Sequence, residues 1–123
     1  MNPADLFSHA TDAIDYPAGS VVFREGGEAD CMYVVLEGSL DILVGKLVVE
    51  TAGRGALLGE MALIDQSPRS ATVVAQTPCR LVRLDQRRFQ FLLQQTPNFA
   101  IHVMQVLVGR LRRMDGRLVD EAG

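Results

Sequence analysis

Between Ser20 and Arg83 the apolar residues fall in short blocks separated by glycine turns. Val21-Val22-Phe23 runs into Gly26-Gly27, and Met32-Tyr33-Val34-Val35-Leu36 runs into Glu37-Gly38. Leu40-Asp41-Ile42-Leu43-Val44 alternates in part and meets Lys46-Leu47-Val48-Val49 across Gly45-Lys46. Glycine at the first of two turn positions predicts a type II′ hairpin there. Residues 71–75 and 80–84 form two further blocks, split by a turn at Thr77-Pro78. Short β-prone blocks at regular spacing predict a β-sandwich or jelly-roll barrel over residues 15–84.

The period changes at both ends. Asn2 can cap a helix with Pro3 at its first position, and Leu6, Phe7 and Ala10 would share its apolar face, predicting a helix over residues 3–13. Asp85 can cap a second helix, residues 86–95, on which Phe89, Leu92 and Leu93 share a face. Thr96-Pro97 repeats the signal and opens a longer helix over residues 97–116. In that helix Met104, Leu107, Leu111, Met114 and Leu118 fall at spacings of 3, 4, 3 and 4. Such a seam serves either packing against the barrel or a homodimer through the last helix. The expected fold class is therefore mainly β, a jelly-roll barrel with one N-terminal and two C-terminal helices, in a single domain spanning residues 1–123.

Composition narrows the function classes. A chain of 123 residues with 48% hydrophobic content can bury a core without disulfide or metal. Its net charge of −3 offers no global field for nucleic acid or an anionic membrane surface. No apolar run approaches the ~20 residues of a membrane span. Met1-Asn2-Pro3-Ala4-Asp5 has no basic region leading into an apolar core, so a cytoplasmic, soluble protein is expected. Cys31 and Cys79 lack any paired spacing and read as reduced, buried small hydrophobes.

The chemistry concentrates in residues 58–73. Glu60 and Arg69 stand nine positions apart, with the short apolar run Met61-Ala62-Leu63-Ile64 between them and a break at Ser67-Pro68. A strand, one helical turn and a second strand would leave backbone amides free beside the arginine, which are the parts of an anion site. An arginine fork matches two phosphate oxygens, and a carboxylate, which only accepts, suits a hydroxyl. The plain alternative is a surface Glu60–Arg69 ion pair worth about 0–1 kcal/mol.

Gly59-Glu60-Met61-Ala62-Leu63 followed by Pro68-Arg69-Ser70-Ala71-Thr72-Val73 resembles the phosphate-binding cassette of the cyclic-nucleotide-binding domain family. That family includes the bacterial cyclic AMP receptor protein, protein kinase A regulatory subunits and nucleotide-gated channels. Tyr16-Pro17-Ala18-Gly19, Phe23-Arg24-Glu25-Gly26 and Met32-Tyr33-Val34-Val35-Leu36-Glu37-Gly38 are similar to its early strands and turns. The resemblance implies that Arg69 pairs with the cyclic phosphate and that Ser70 adds a hydroxyl or amide. It also implies that Glu60 accepts from the ribose 2′-hydroxyl. The Gly59, Met61 and Ala62 backbone would line the pocket, and Ala71 is counted among the ligand-binding residues. Met61 and Leu63 are expected to be core more than ligand contacts. In the family the C-terminal helix caps the base, which points at Leu111, Met114 and Asp115. Threonine after the arginine goes with cyclic GMP in the family and alanine with cyclic AMP. Ser70 is neither, and cyclic AMP is the favoured regulatory ligand, with cyclic GMP as the alternative.

Nothing after Gly123 supplies the DNA-binding domain found in the receptor protein. Arg110, Arg112, Arg113 and Arg117 read as charge suited to a helix C-terminus, without direct nucleic-acid contact. The expected protein is a sensor acting through a protein partner or an output domain. The alternatives are an interaction module that no longer binds nucleotide, or the sensor half of a transcription regulator. Jelly rolls also house metal-dependent enzymes, but those need clustered ligands, and His9 and His102 stand at opposite ends of the chain. No nucleophile–base pair has supporting spacing. A non-enzymatic protein without a metal is expected.

Overall fold

The computed structural model describes the backbone of residues 1–122 and the side chains of residues 1–113. Eight strands build two antiparallel four-stranded sheets. The strands are β1 (Ile14–Tyr16), β2 (Val21–Phe23), β3 (Cys31–Glu37), β4 (Leu40–Val44), β5 (Leu47–Ala52), β6 (Leu57–Leu58), β7 (Thr72–Ala75) and β8 (Cys79–Asp85). One sheet runs β1-β8-β3-β6 and the other β2-β7-β4-β5. The expected jelly roll is present, as two facing sheets that do not close into a continuous barrel.

Strand β3 shows why the sequence folds this way. Cys31, Tyr33 and Val35 point between the sheets, into a core shared with Leu40, Ile42, Val73, Ala75 and Leu81. Met32 and Val34 point the other way, into a second core beneath the helices, with Leu57, Leu63, Val82 and Leu84. Alternate residues of a strand face opposite sides, so a strand covered on both faces reads as an unbroken apolar run. The free cysteines Cys31 and Cys79 are both buried, on the inter-sheet side.

The helices cover the outer face of the first sheet. They are α1 (Glu60–Asp65), α2 (Gln86–Gln95) and α3 (Pro97–Ala122). Asp85 caps α2 by accepting from the Arg88 amide at 2.8 Å, as its position predicts. Phe89 of α2 meets Phe99 of α3 edge-on at 6.3 Å, and Val103 joins them in the second core. Among the described residues no helix is long and apolar enough to cross a membrane.

The N-terminus differs from expectation. Asn2 does cap, accepting from the Ala4 amide at 2.9 Å. The element it opens is a 3-10 helix of Pro3–Phe7 and does not extend to residue 13. Ala4 and Phe7 are buried while Leu6 is exposed, so the apolar face is too narrow to hold a longer helix against the sheet. Gly45 has a φ of 61° and the following lysine is not in the left-handed region, the pattern of the predicted type II′ turn joining Val44 to Leu47.

Candidate functional site

Helix α1 is only six residues long and is entered through Gly59, whose φ of 78° lies in the left-handed region. The helix leaves through Gln66, also left-handed at 58°. Asp65 stabilises that exit by accepting from the Ser67 amide at 3.0 Å and the Ser67 hydroxyl at 2.6 Å. Those bonds also hold the Asp65 carboxyl below its ordinary pKa. Pro68 then turns the chain back so that Arg69 meets the Gly26-Gly27 turn. The Gly26 amide donates to the Arg69 carbonyl at 2.8 Å, and the Arg69 amide to the Gly27 carbonyl at 3.0 Å. The backbone of Arg69 is thus clamped on both sides, which fixes where its side chain starts.

That side chain runs inward. Arg69 is 5% exposed, and its guanidinium lies 4.1 Å from the centroid of Phe23. One terminal nitrogen donates to the Gly59 carbonyl at 3.5 Å and the other to Cys31 Sγ at 3.4 Å, while Nε is buried without a partner among the described residues. Tyr33 stacks on the same Phe23 at 6.1 Å, and burial, then its contacts with Cys31, push the Tyr33 hydroxyl pKa well up. No carboxylate pairs with Arg69 among the described residues. A buried cation held only by soft contacts, a carbonyl and a ring face is strongly underneutralised.

Glu60 is 1% exposed, and the plain Glu60–Arg69 ion pair is absent. Its partner is Arg110 of α3, which donates from Nη1 to Glu60 Oε1, from Nη2 to the Leu57 carbonyl at 2.9 Å and from Nε to Glu50 Oε2 at 3.3 Å. Glu60 Oε2 is buried and has no partner among the described residues. Burial opposes charge on Arg110, but Glu60 first and then Glu50 outweigh it and raise its pKa above the ordinary arginine value. The site therefore offers one unsatisfied buried donor on a cation and one unsatisfied buried acceptor on an anion. A ligand bearing both an anionic group and a hydroxyl fits that pair of demands.

Glu50, Glu60 and Arg69, though not Arg110, lie in a stretch whose residues match a model of a known family. The family is described as the cyclic nucleotide-binding domain, and its model matches residues 13–96. The chain belongs to the cyclic nucleotide-binding domain family. A cyclic nucleotide-gated potassium channel of Mesorhizobium japonicum is 44% identical over 102 residues, 81% of this chain and 28% of that protein. A cAMP-dependent protein kinase regulatory subunit of Aspergillus fumigatus is 40% identical over 86 residues, 68% of this chain and 21% of that protein. The catabolite activator protein of Thermus thermophilus superposes with a TM-score of 0.77 at 27% identity, covering 92% of this chain and 61% of that one. The domain thus spans between 21% and 28% of the length of these two curated relatives.

The cassette residues sit unevenly around the two buried charges. Ala62 and Ala71 are buried, Gly59 contacts Arg69, and Ser70 is exposed beside it. Leu63 belongs to the second core as expected, but Met61 is exposed and is not a core residue, because a helix of six residues can turn only one side inward. Of the three lid candidates, Leu111 is 59% exposed, whereas Met114 and Asp115 lie outside the residues with described side chains. The described α3 residue that reaches the cassette is Arg110, which the sequence pattern had placed among surface charges. Its signal was faint: one arginine following Gly109 on a helix with apolar residues on two sides.

Gly59 carries a prediction of its own. A Cβ at this position would run into the Arg69 guanidinium, on a backbone that L residues avoid. Gly59→Ala should lower fold stability by about 1–2 kcal/mol and displace Arg69. Equilibrium unfolding measures the first effect. Calorimetry with cyclic AMP, expected to show affinity weakened by about tenfold or more, measures the second. Wild-type values for both would mean that Arg69 does not rest against Gly59.

Proposed function

We propose that this domain is a non-catalytic sensor that binds a cyclic nucleotide between the cassette and α3 and passes occupancy to a protein partner or output domain. The observation that carries this reading is Arg69, buried and clamped by its backbone yet without a carboxylate among the described residues. Its role is to meet the cyclic phosphate with its fork, helped by Ser70 and by the backbone near Ala71. Glu60 accepts from the ribose 2′-hydroxyl at the oxygen that has no partner. The Gly59, Met61 and Ala62 backbone lines the pocket between them. Cyclic AMP is the favoured ligand over cyclic GMP, because Ser70 is not the threonine that goes with cyclic GMP in the family. An interaction module without a ligand is disfavoured, since it would leave Glu60 Oε2 and Arg69 Nε buried without a partner among the described residues. Buried, unbridged cysteines suit a reducing, cytoplasmic setting.

A second copy of the chain is proposed as a further partner. Ile101, Met104, Val108 and Leu111 are exposed at spacings of 3, 4 and 3 along α3, a heptad-like stripe on the side away from Phe99 and Val103. Leu107, part of the expected seam, packs toward the second core. Val108→Glu should turn a dimer into a monomer by light scattering, and a wild-type monomer at high concentration would contradict the dimer.

Side-by-side calorimetric titrations with cyclic AMP, cyclic GMP and 5′-AMP test the sensor reading. Saturable binding of the cyclic nucleotides, tightest for cyclic AMP, is expected. Absence of heat and of any thermal shift with all three at millimolar concentration would refute it.

A further inference from the structure

A thiol sits beside the guanidinium that meets the phosphate. Cys31, at the start of β3 and on the face turned between the sheets, accepts at Sγ from Arg69 Nη2 at 3.4 Å. Cys31 is 2% exposed, and the Arg69 guanidinium that reaches it has an Nε without a partner among the described residues. The other polar contact of Arg69, with the Gly59 carbonyl, is long at 3.5 Å. No carboxylate pairs with this arginine among the described residues. The cation thus has donors left over for an anion, and the sulfur is the group beside it that oxidation can turn into one.

Cys79 is also buried, in a different setting. Its thiol lies against the Ser39 carbonyl at 3.3 Å and the Thr77 carbonyl at 3.1 Å, and no arginine donates to it among the described residues. A thiol attacks as its thiolate, which a neighbouring cation favours and carbonyl oxygens do not. The two cysteines lie at opposite ends of the β3–β8 pair, Cys31 opposite Asp85 and Cys79 at the start of β8. At ~3.3 Å per residue they are about 20 Å apart. A disulfide needs Cα atoms within about 7 Å, so an oxidised Cys31 meets no resolving thiol in this domain. Its oxidation then runs on from the sulfenic to the sulfinic acid. Access follows from the pocket itself. An opening that admits a cyclic phosphate to the guanidinium also admits hydrogen peroxide, a smaller molecule, to the sulfur next to it.

We propose that Cys31 is a modification site for peroxide inside the phosphate pocket, and that its sulfinate takes the place of the nucleotide phosphate on Arg69. The sulfur attacks one peroxide oxygen: an S–O bond forms, the O–O bond breaks, and the leaving hydroxide departs as water with the thiol proton. Sulfur loses two electrons and the peroxide gains them. A second peroxide repeats the step on the sulfenic acid and gives a sulfinic acid and water. The sulfinic proton goes to solvent, leaving an anion with two oxygens that match the arginine fork as a carboxylate does. The effect on ligand binding rests on the cyclic-nucleotide reading of the pocket, whereas the oxidation does not.

The test treats wild type, Cys31→Ala and Arg69→Met with hydrogen peroxide, then applies mass mapping of both cysteines, calorimetry with cyclic AMP and thermal unfolding. Cys31 should gain two oxygen atoms before Cys79 gains any. Cyclic AMP at about ten times its Kd should slow that gain by about tenfold, as the free form falls in proportion. Treated wild type should bind cyclic AMP at least about tenfold more weakly than untreated. Cys31→Ala carries the same exposed Met61 and Met104 and should bind equally before and after treatment, which separates the thiol from methionine oxidation. Oxidation should lower the unfolding midpoint further in Arg69→Met than in wild type, because the arginine neutralises the buried sulfinate. Oxidation of Cys79 first, an equal loss of affinity in Cys31→Ala, or equal midpoint shifts would overturn the proposal. Should Cys31→Ala fail to fold, the order of oxidation and the protection by nucleotide in wild type carry the test. Cyclic AMP binding that survives oxidation of Cys31 would overturn this proposal and leave the sensor reading intact. Absence of binding by untreated wild type would refute the sensor reading, and the order of oxidation and the midpoints would then decide the pairing with Arg69.

Discussion

Arg69→Met is expected to weaken cyclic AMP binding by about 30- to 5,000-fold, the range of 2–5 kcal/mol seen when one partner of a buried charge pair is truncated. The same substitution should leave the ligand-free fold as stable as wild type, or more stable. The two halves follow from one observation. Arg69 is buried against Phe23, the Gly59 carbonyl and Cys31, with Nε unpaired and no carboxylate in contact among the described residues. Its desolvation is a cost that the fold itself offsets only in part, and a flexible apolar side chain of similar length fills the same space without that cost. Calorimetry reads the first effect and thermal unfolding of the free protein the second. A large loss of stability together with unchanged affinity would make Arg69 a structural residue and move the phosphate elsewhere.

The largest expected effect on stability lies away from the pocket. Phe99 is fully buried where α3 crosses the sheet, packed edge-on against Phe89 and beside Met32, Val82, Leu84 and Val103. Phe99→Ala removes the ring and leaves a cavity, which costs about 3–5 kcal/mol for an aromatic residue in a core. Urea denaturation measures that loss. The consequence for function travels along the helix, since Arg110 and Phe99 are on the same α3. Loosening the helix at Phe99 lowers the occupancy of the Arg110–Glu60 contact, so ligand affinity should fall along with stability. Arg69→Met is the opposite case, losing affinity without losing stability. The pair of variants separates residues that hold the fold from residues that hold the ligand.

Much of this fold was legible because its punctuation is local. Gly19, Gly26, Gly38, Gly45, Gly55 and Gly59 all have φ between 61° and 92°, so the turns inferred from glycine positions coincide with a backbone need. The apolar run at Met32–Leu36 announced a strand, and Asp85 announced the start of α2. Strand β1 was not foreseen, and the strand expected before the helical turn, β6, was given no bounds. They contain three and two residues, and they exist through pairing with β8 and β3, which no local pattern records. The N-terminal helix was overextended for a related reason: Leu6 and Ala10 fit a helical period, but the sheet offers a surface to Ala4 and Phe7 only over one short turn.

In the site, Glu60 and Arg69 were readable as a pair with an acceptor and a fork, because their types and spacing are local properties. Their mutual independence was not. That Glu60 would pair with a residue 50 positions away depends on the rotation of α3 about its axis. A helix apolar on two sides leaves that rotation undetermined: Phe99, Val103 and Leu107 claim one face and Ile101, Met104, Val108 and Leu111 another. With the phase free, Leu111 was the nearest reasonable lid residue, and Arg110, its neighbour in sequence, is the one that arrives. The same uncertainty hid Glu50, which looks like any polar residue on a β-strand until an arginine from α3 is laid across it.

The structure of the complex with cyclic AMP tests the central claim most directly. The account predicts the cyclic phosphate within hydrogen-bond distance of the Arg69 guanidinium and the ribose 2′-hydroxyl on Glu60 Oε2, with Arg110 still spanning Glu60 and Glu50. A phosphate bound away from Arg69, or a pocket left empty at millimolar nucleotide, would contradict it.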